Sequence, residues 1–130
     1  VVSPRYHLPP SVHQTFQAGG CLISTFVPRP LESDPEALHI PFYHRNTDYD
    51  EVLFYHDGEF FSRSGIRPGM LTLHPQSIHH GPQPQAVQAS KVKTHTSEVA
   101  VMIESKASFT VQSEMESVEI KDYALSWSRR

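Results

Sequence analysis

Histidine and carboxylate side chains, which bind divalent transition metals in proteins, are concentrated in two short stretches of this chain. Residues 42–51 read FYHRNTDYDE and contain His44 and, seven positions later, Glu51. Residues 73–82 read LHPQSIHHGP, with three histidines within seven positions: His74, His79 and His80. Two imidazoles and one carboxylate that leave coordination positions open are the ligand set of non-haem Fe(II) enzymes, although zinc or manganese could use the same groups. These stretches therefore predict a metal site.

A bend in the chain is needed for His44 and Glu51 to meet. On one straight strand, an odd spacing such as theirs puts the two side chains on opposite faces. Asn46 and Asp48 favour a bend, because such side chains hydrogen-bond to nearby backbone groups. Glu51 would then point inward from the start of a strand, with Tyr55 on the same face. An inward carboxylate costs free energy unless it is paired or bound to a metal; the alternative is an ordinary exposed strand residue.

The composition is typical of one soluble domain. The chain has 130 residues, is 38% hydrophobic and carries a formal charge of −3. It lacks the basic stripe that nucleic-acid binding needs and any apolar run long enough to span a membrane. The single cysteine, Cys21, excludes an internal disulfide and indicates a reducing compartment, which we interpret as the cytoplasm. We therefore predict one domain over residues 1–130, with no nucleic-acid and no membrane partner.

Short apolar runs between turn residues predict an all-β fold. The eleven prolines argue against long helices. Residues 50–63 are predicted to form a hairpin around the Asp57-Gly58 turn signal. Further strands are predicted from their β-branched and aromatic residues at 21–27, 70–74, 98–105, 108–112 and 117–120. This pattern is typical of an antiparallel β-barrel or a two-sheet sandwich.

Several motifs resemble known families. His44 followed by Glu51-x₆-Gly58 is similar to the first motif of cupins, and PQSIHH at 75–80 is similar to their second motif, with Ser77 where glycine is usual. More closely, the chain resembles the C-terminal, iron-binding region of homogentisate 1,2-dioxygenase. The matching stretches run in the same order as in that family: PPSVHQTF (9–16), FVPRP (26–30), PFYHRN (41–46), LH and HGP (73–74 and 80–82), SKVK (90–93) and MIES (102–105).

The resemblance implies a cupin-like antiparallel β-barrel or jelly-roll sandwich that holds Fe(II). Its metal ligands would be His44, Glu51 and His80. The chain would be the C-terminal part of a longer dioxygenase, and cupins commonly form homo-oligomers.

The resemblance also implies an activity and three further site residues. The expected reaction is ring-opening dioxygenation of a hydroquinone- or catechol-like aromatic acid, homogentisate foremost, with O₂ as second substrate, in tyrosine and phenylalanine catabolism. His13 would act as catalytic acid or base on a substrate hydroxyl. His74 would bind substrate, and Asn46 would contact substrate or support the metal ligands.

The chain departs from the family pattern in two ways. His44 and Glu51 are one residue further apart than is usual, and Asp50 would preserve the usual spacing. Asp50 is therefore the alternative carboxylate, although Glu51 keeps the Glu-x₆-Gly pattern. Phe42 and Phe60 stand where the animal-type members of the family have tyrosines near the substrate.

Two other functions fit the same residues. One is a different metal-dependent cupin enzyme, such as a gentisate-type dioxygenase or a zinc or manganese isomerase. The other is a non-catalytic cupin domain that binds a ligand without turnover. If the chain is an enzyme, Arg45 or Arg67 is a candidate for binding the substrate carboxylate.

Overall fold

The computed structural model describes residues 13–31, 34–36 and 42–127. Its elements are five strands and one helix: β1 His13–Ala18, β2 Cys21–Phe26, β3 Asp50–Asp57, β4 Leu71–His74, α1 Pro84–Ser90 and β5 Val99–Ser105. Two 3₁₀ turns follow at Ser113–Ser117 and Tyr123–Leu125. The strands form one antiparallel sheet in the order β1-β2-β5-β3-β4. The predicted all-β, cupin-like class is confirmed, and the sheet is open within the described residues.

Three of the predicted strands are confirmed within one residue of their expected bounds, as β2, β4 and β5. The strands expected at 108–112 and 117–120 are wrong, since exposed irregular chain and a 3₁₀ turn occupy this region. The reason lies in the sheet order. Strand β5 pairs with β2 on one side and β3 on the other, so no edge beside it is left for a strand that follows it in sequence.

The hairpin expected over residues 50–63 is wrong in its second half. Strand β3 ends at the predicted Asp57-Gly58 turn, but the chain then buries Phe60 in the core instead of forming a strand. Both edges of β3 pair with strands from elsewhere in the chain, β4 and β5. Long-range pairing therefore replaces the local hairpin.

Helix α1 is a short element that was not predicted, because the many prolines argued against helices. It begins at Pro84, where the missing N–H of proline removes no hydrogen bond, because the first turn of a helix has no internal acceptors for its amides. Among the described residues, none of the helices has the length and apolar character of a membrane span.

One face of the sheet carries the core. Tyr55, Phe60 and Ala100 are its buried residues, and four partly buried side chains pack against them: Phe26, Leu53, Ile66 and Met70. The Tyr55 hydroxyl lies 3.1 Å from the Thr72 hydroxyl, so the buried polar group has a partner. Burying side chains of this size contributes roughly 1.5–3 kcal/mol each, which anchors the strands that hold the site.

The register of three strands creates a polar row at the end of this core. Glu51 of β3 pairs with His74 of β4 and with Glu104 of β5. Residues directly opposite one another in antiparallel strands share a face of the sheet. Three polar side chains are therefore brought side by side on the face that also carries the apolar core.

Two loops pair above this row. The backbone amides and carbonyls of His44 and His80 exchange hydrogen bonds, both 2.8 Å long. Ser77 has a positive φ of 65°, which explains why cupins usually have glycine at this motif position. Gly81 allows the loops to touch, because a Cβ there would lie 2.7 Å from the Cα of Tyr43. The pairing holds both histidines at one end of the sheet.

Gly58, which closes the Glu-x₆-Gly motif, offers a test of this frame. Its φ is +86°, and a Cβ there would lie 2.0 Å from the carbonyl oxygen of Ser97. We expect Gly58→Ala to lower the free energy of unfolding by roughly 2–5 kcal/mol, from left-handed strain and overpacking together. Gly65→Ala is the matched control, since Gly65 has φ +85° but open space around it. Chemical denaturation of both variants should show the larger loss for Gly58→Ala, and equal losses would contradict the clash.

Candidate metal centre

Three side chains from separate segments converge at the end of the core. His44 and His80 come from the paired loops, and Glu51 is the second residue of strand β3. Each offers one ligand atom, and these atoms all lie within 4.8 Å of one another. Glu51 and His80 are buried, whereas His44 lies nearer to solvent. The structure thus brings together the three residues that the family resemblance implied as metal ligands.

Backbone carbonyls orient the two imidazoles. Nδ1 of His44 lies 2.7 Å from the carbonyl oxygen of Phe42, and Nδ1 of His80 lies 2.9 Å from that of Ile78. A carbonyl can only accept, so each Nδ1 carries the proton and donates it. In the neutral imidazole, each Nε2 then keeps a free lone pair. This is the usual arrangement of histidines that bind a metal through Nε2.

The contact between His80 and Glu51 has the features of a pair of metal ligands. Nε2 of His80 is buried and has no hydrogen-bond partner among the described residues, yet it lies 3.0 Å from Oε2 of Glu51. A lone pair and a carboxylate oxygen repel each other unless a proton or a cation lies between them. Metal bonds of about 2.1 Å that meet at right angles would put the two atoms about 3.0 Å apart. The residues therefore fit a divalent metal ion.

Asn46 holds the carboxylate and forms the bend that the sequence predicted. Its side-chain amide donates to Oε1 of Glu51 at 2.9 Å and to Oε1 of Glu104 at 3.3 Å. Its side-chain oxygen accepts from the amides of Asp48 and Tyr49, at 3.1 Å and 3.2 Å. One side chain therefore turns the chain between the two predicted ligands and fixes the orientation of one of them.

The Glu51 carboxylate is stabilised in its charged form. Burial raises its pKa, but its side-chain hydrogen bonds, those with His74 and Asn46 among them, outweigh burial and hold the pKa well below its usual range. An ionised carboxylate at this position supplies the negative charge that a divalent cation needs.

His74 lies beside the cluster without being one of the three converging residues. Its ring stacks on that of His80 at 4.3 Å between centroids, and its Nδ1 lies 3.5 Å from Oε2 of Glu51. Burial lowers the pKa of His74 to about 4, and the positive charge of Arg63 adds to this against the opposing effect of Glu51. The predicted role of His74 in binding substrate stays a prediction. In the structure, His74 is buried against two of the candidate metal ligands, Glu51 and His80.

The alternative carboxylate, Asp50, is engaged elsewhere. Its Oδ1 accepts from the amide of Gln76 at 2.8 Å, and its Oδ2 accepts from the amide of Phe109 at 2.9 Å. Neighbouring residues of a strand point to opposite faces, so Asp50 and Glu51 cannot both face the histidines. The structure brings Glu51 to the cluster and uses Asp50 to fix two loops.

The backbone of His13 lies in a different strand of the sheet from that of Glu51. Its backbone begins β1 and pairs with Thr25, and three inter-strand steps separate β1 from β3. Its side chain lies outside the described residues. The predicted acid or base role of His13 therefore stays a prediction.

The two phenylalanines that replace family tyrosines lie in different places. The ring of Phe42 is 5.2 Å from that of His44, at the exposed side of the cluster. Phe60 is buried and packs edge-on against Tyr55 at 4.8 Å. Only Phe42 is thus beside the candidate ligands.

Sequence reasoning missed two charged neighbours of the site. Glu104 could have been recognised from the sequence. It follows the apolar residues VAVMI in strand β5, and a charged residue in such a strand needs a partner. Arg63 gave no signal in the sequence. It is buried against His74, whereas the arginines proposed for binding substrate, Arg45 and Arg67, are exposed.

The fold and the site define a cupin-like protein with a candidate His–Glu–His metal centre. The homogentisate 1,2-dioxygenase C-terminal family matches residues 10–129, and the chain belongs to that family. It is also 40% identical over 128 residues to a "putative dioxygenase" of Saccharolobus solfataricus, covering 97% of this chain and 33% of that protein. The chain thus spans about a third of the length of this relative. A comparison with solved structures gives no significant match.

Glu104 gives the site a testable pH dependence. Burial raises the pKa of Glu104, and the charge of Glu51 raises it further. The unfolded chain releases this proton at lower pH than the folded chain, so folding loses stability as the pH rises from the ordinary pKa of 4.5 through the raised value. We expect Glu104→Gln to raise the melting temperature of the metal-free protein at pH 7, with the gain vanishing below pH 4.5. Glu116→Gln, at an exposed carboxylate, is the control; an equal gain there would contradict the assignment.

Proposed function

We propose that this chain is the metal-binding C-terminal part of a non-haem Fe(II) ring-cleaving dioxygenase, an oxidoreductase that uses O₂. The observation that carries the proposal is the buried contact of 3.0 Å between Nε2 of His80 and Oε2 of Glu51, in a chain of the homogentisate 1,2-dioxygenase C-terminal family. His44, Glu51 and His80 would hold the metal on one side and leave coordination positions open for substrate and O₂.

The substrate we propose is homogentisate or a related hydroquinone-type aromatic acid. The family match supports this class, and the ring of Phe42 at the exposed side of the cluster offers an apolar contact for an aromatic ring. Bound Fe(II) would supply the binding site for substrate and O₂ and the electron transfer between them. The polypeptide would orient the substrate, exclude water and move protons, with His13 as the proposed acid or base and His74 and Asn46 beside the ligands.

The biological setting follows from that substrate class. We propose a role in the breakdown of tyrosine and phenylalanine, in the cytoplasm, as part of a homo-oligomer. The oligomer is supported by the exposed aromatic side chain of Phe16 on edge strand β1, since exposed large apolar groups at a sheet edge favour contacts with another chain.

Another metal-dependent cupin enzyme is the alternative. A gentisate-type dioxygenase would share the metal and the need for O₂ but not the substrate, whereas an isomerase would work with zinc or manganese and without O₂. A non-catalytic cupin domain would bind no metal and lose no stability without one. Metal content and O₂ uptake with homogentisate or gentisate separate these functions.

Metal content is the first experiment. After anaerobic incubation with Fe(II) and removal of the excess, we expect about one iron per wild-type chain, as for a preformed three-ligand site. Glu51→Gln keeps the shape of the side chain but removes the charge, and we expect it to bind close to none. Asp50→Asn is the matched control and should retain the iron, because Asp50 is engaged by two backbone amides. The iron content of all three proteins is measured by mass spectrometry.

The outcomes of that experiment are distinct. Loss of iron in Asp50→Asn with retention in Glu51→Gln would make Asp50 the ligand. No iron in the wild type would leave the cupin fold intact but end the dioxygenase proposal for this chain.

His13 is tested by separating metal binding from turnover. We expect His13→Ala to retain iron and to slow ring cleavage by about 10²–10⁴-fold, the usual cost of losing an acid–base group. His56→Ala, at an exposed histidine on β3, should change neither. Iron content and O₂ consumption with homogentisate are the two measurements. Loss of iron in His13→Ala would show a metal ligand instead of an acid or base.

A further inference from the structure

Arg63 is a buried arginine in direct contact with the site. Only 7% of its surface is exposed, and its Nη1 lies 2.5 Å from Nε2 of His74. The same Nη1 donates to the hydroxyl of Tyr123. Burying a guanidinium group has a high desolvation cost. The hydrogen bonds with His74 and Tyr123 offset part of that cost, so losing them would destabilise the buried arginine.

The chemistry of the guanidinium determines the direction of the bond with His74. Arginine has only donors and stays protonated, so Nε2 of His74 must accept. The proton of the neutral imidazole is then on Nδ1. Nδ1 faces Oε2 of Glu51 at 3.5 Å, and no other partner for it exists among the described residues. The contact with Arg63 therefore makes His74 an N–H donor toward the carboxylate.

The C-terminal segment holds Arg63 in this position. Its guanidinium carbon lies 4.9 Å from the ring centroid of Trp127 and 5.8 Å from that of Tyr123. The indole N–H of Trp127 donates to the carbonyl oxygen of Gly81 at 2.9 Å, one residue after His80. Both sides of the cluster are thus tied to residues 123–127, and Arg63 has little freedom to leave His74.

We propose that Arg63 is a positioning residue that fixes the Nδ1–H form of His74, directs this N–H at Glu51 and keeps His74 from becoming a metal ligand. The last part rests on the proposed metal site; the first does not. Without Arg63, His74 could place a lone pair on Nδ1, beside Glu51 and stacked on His80, where it would compete for one of the coordination positions that substrate and O₂ require.

The proton position is tested on the metal-free protein. Long-range ¹H–¹⁵N spectra of ¹⁵N-labelled protein distinguish Nδ1–H from Nε2–H histidines, and His74→Asn identifies the His74 signals. We expect the Nδ1–H form in the wild type, its loss in Arg63→Met and its return in Arg63→Lys, which restores a donor. Arg67→Met, at an exposed arginine, should leave the His74 signals unchanged. An Nε2–H form of His74 in the wild type would overturn the proposal.

The effect on coordination is tested with Zn(II), a diamagnetic probe that binds the same ligand types. In the same spectra we expect two metal-bound imidazoles in the wild type and three in Arg63→Met, whose Zn(II) affinity should rise because a further imidazole binds the metal. The double variant Arg63→Met/His74→Asn should return to two. Two bound imidazoles in a folded Arg63→Met would overturn this part. No Zn(II) binding to the wild type would instead refute the proposed metal site and leave the Nδ1–H assignment standing on its own spectra.

Discussion

The buried carboxylate of Glu51 is the constraint on which the site depends. A charged group at the start of a core strand is tolerated only when its surroundings supply compensation. Asn46 donates to one of its oxygens, and His74 and His80 face the other. The compensation is incomplete, since Nε2 of His80 has no hydrogen-bond partner among the described residues. A divalent cation would resolve that deficit, so the fold favours a metal ion at this position.

Unusual backbone conformations hold the ligands where that constraint needs them. The paired loops approach closely only because Gly81 has no side chain, and one of them passes through the left-handed conformation at Ser77. Strand β3 ends at Gly58, whose lack of a Cβ lets the backbone pass against Ser97. The recurring glycine positions of the cupin motifs thus have a steric cause. They allow rigid loops and a strand end to present ligands at fixed positions.

Family membership and geometry address different questions about the activity. The family match covers nearly the whole chain, so the domain that carries the His–Glu–His cluster belongs to a known family of dioxygenase domains. Phe42 lies beside His44, and a phenyl ring offers a substrate no hydroxyl. The candidate ligand set and the residues beside it therefore constrain the function separately.

The residue types and spacing alone predicted the all-β class and three strands nearly to the residue, because period-two burial is a local property, and they indicated a metal site of two imidazoles and one carboxylate. The particular set His44, Glu51 and His80 came from the family resemblance. Sequence could not separate Glu51 from Asp50, because the two are neighbours. The strand register turns them to opposite faces and brings Glu51, not Asp50, beside the histidines. The failed hairpin after Gly58 has the same origin, as β3 was paired on both edges by distant strands. The contact of Arg63 with the site came only from the tertiary structure, because long-range pairing and packing brought residues together that no local pattern connects.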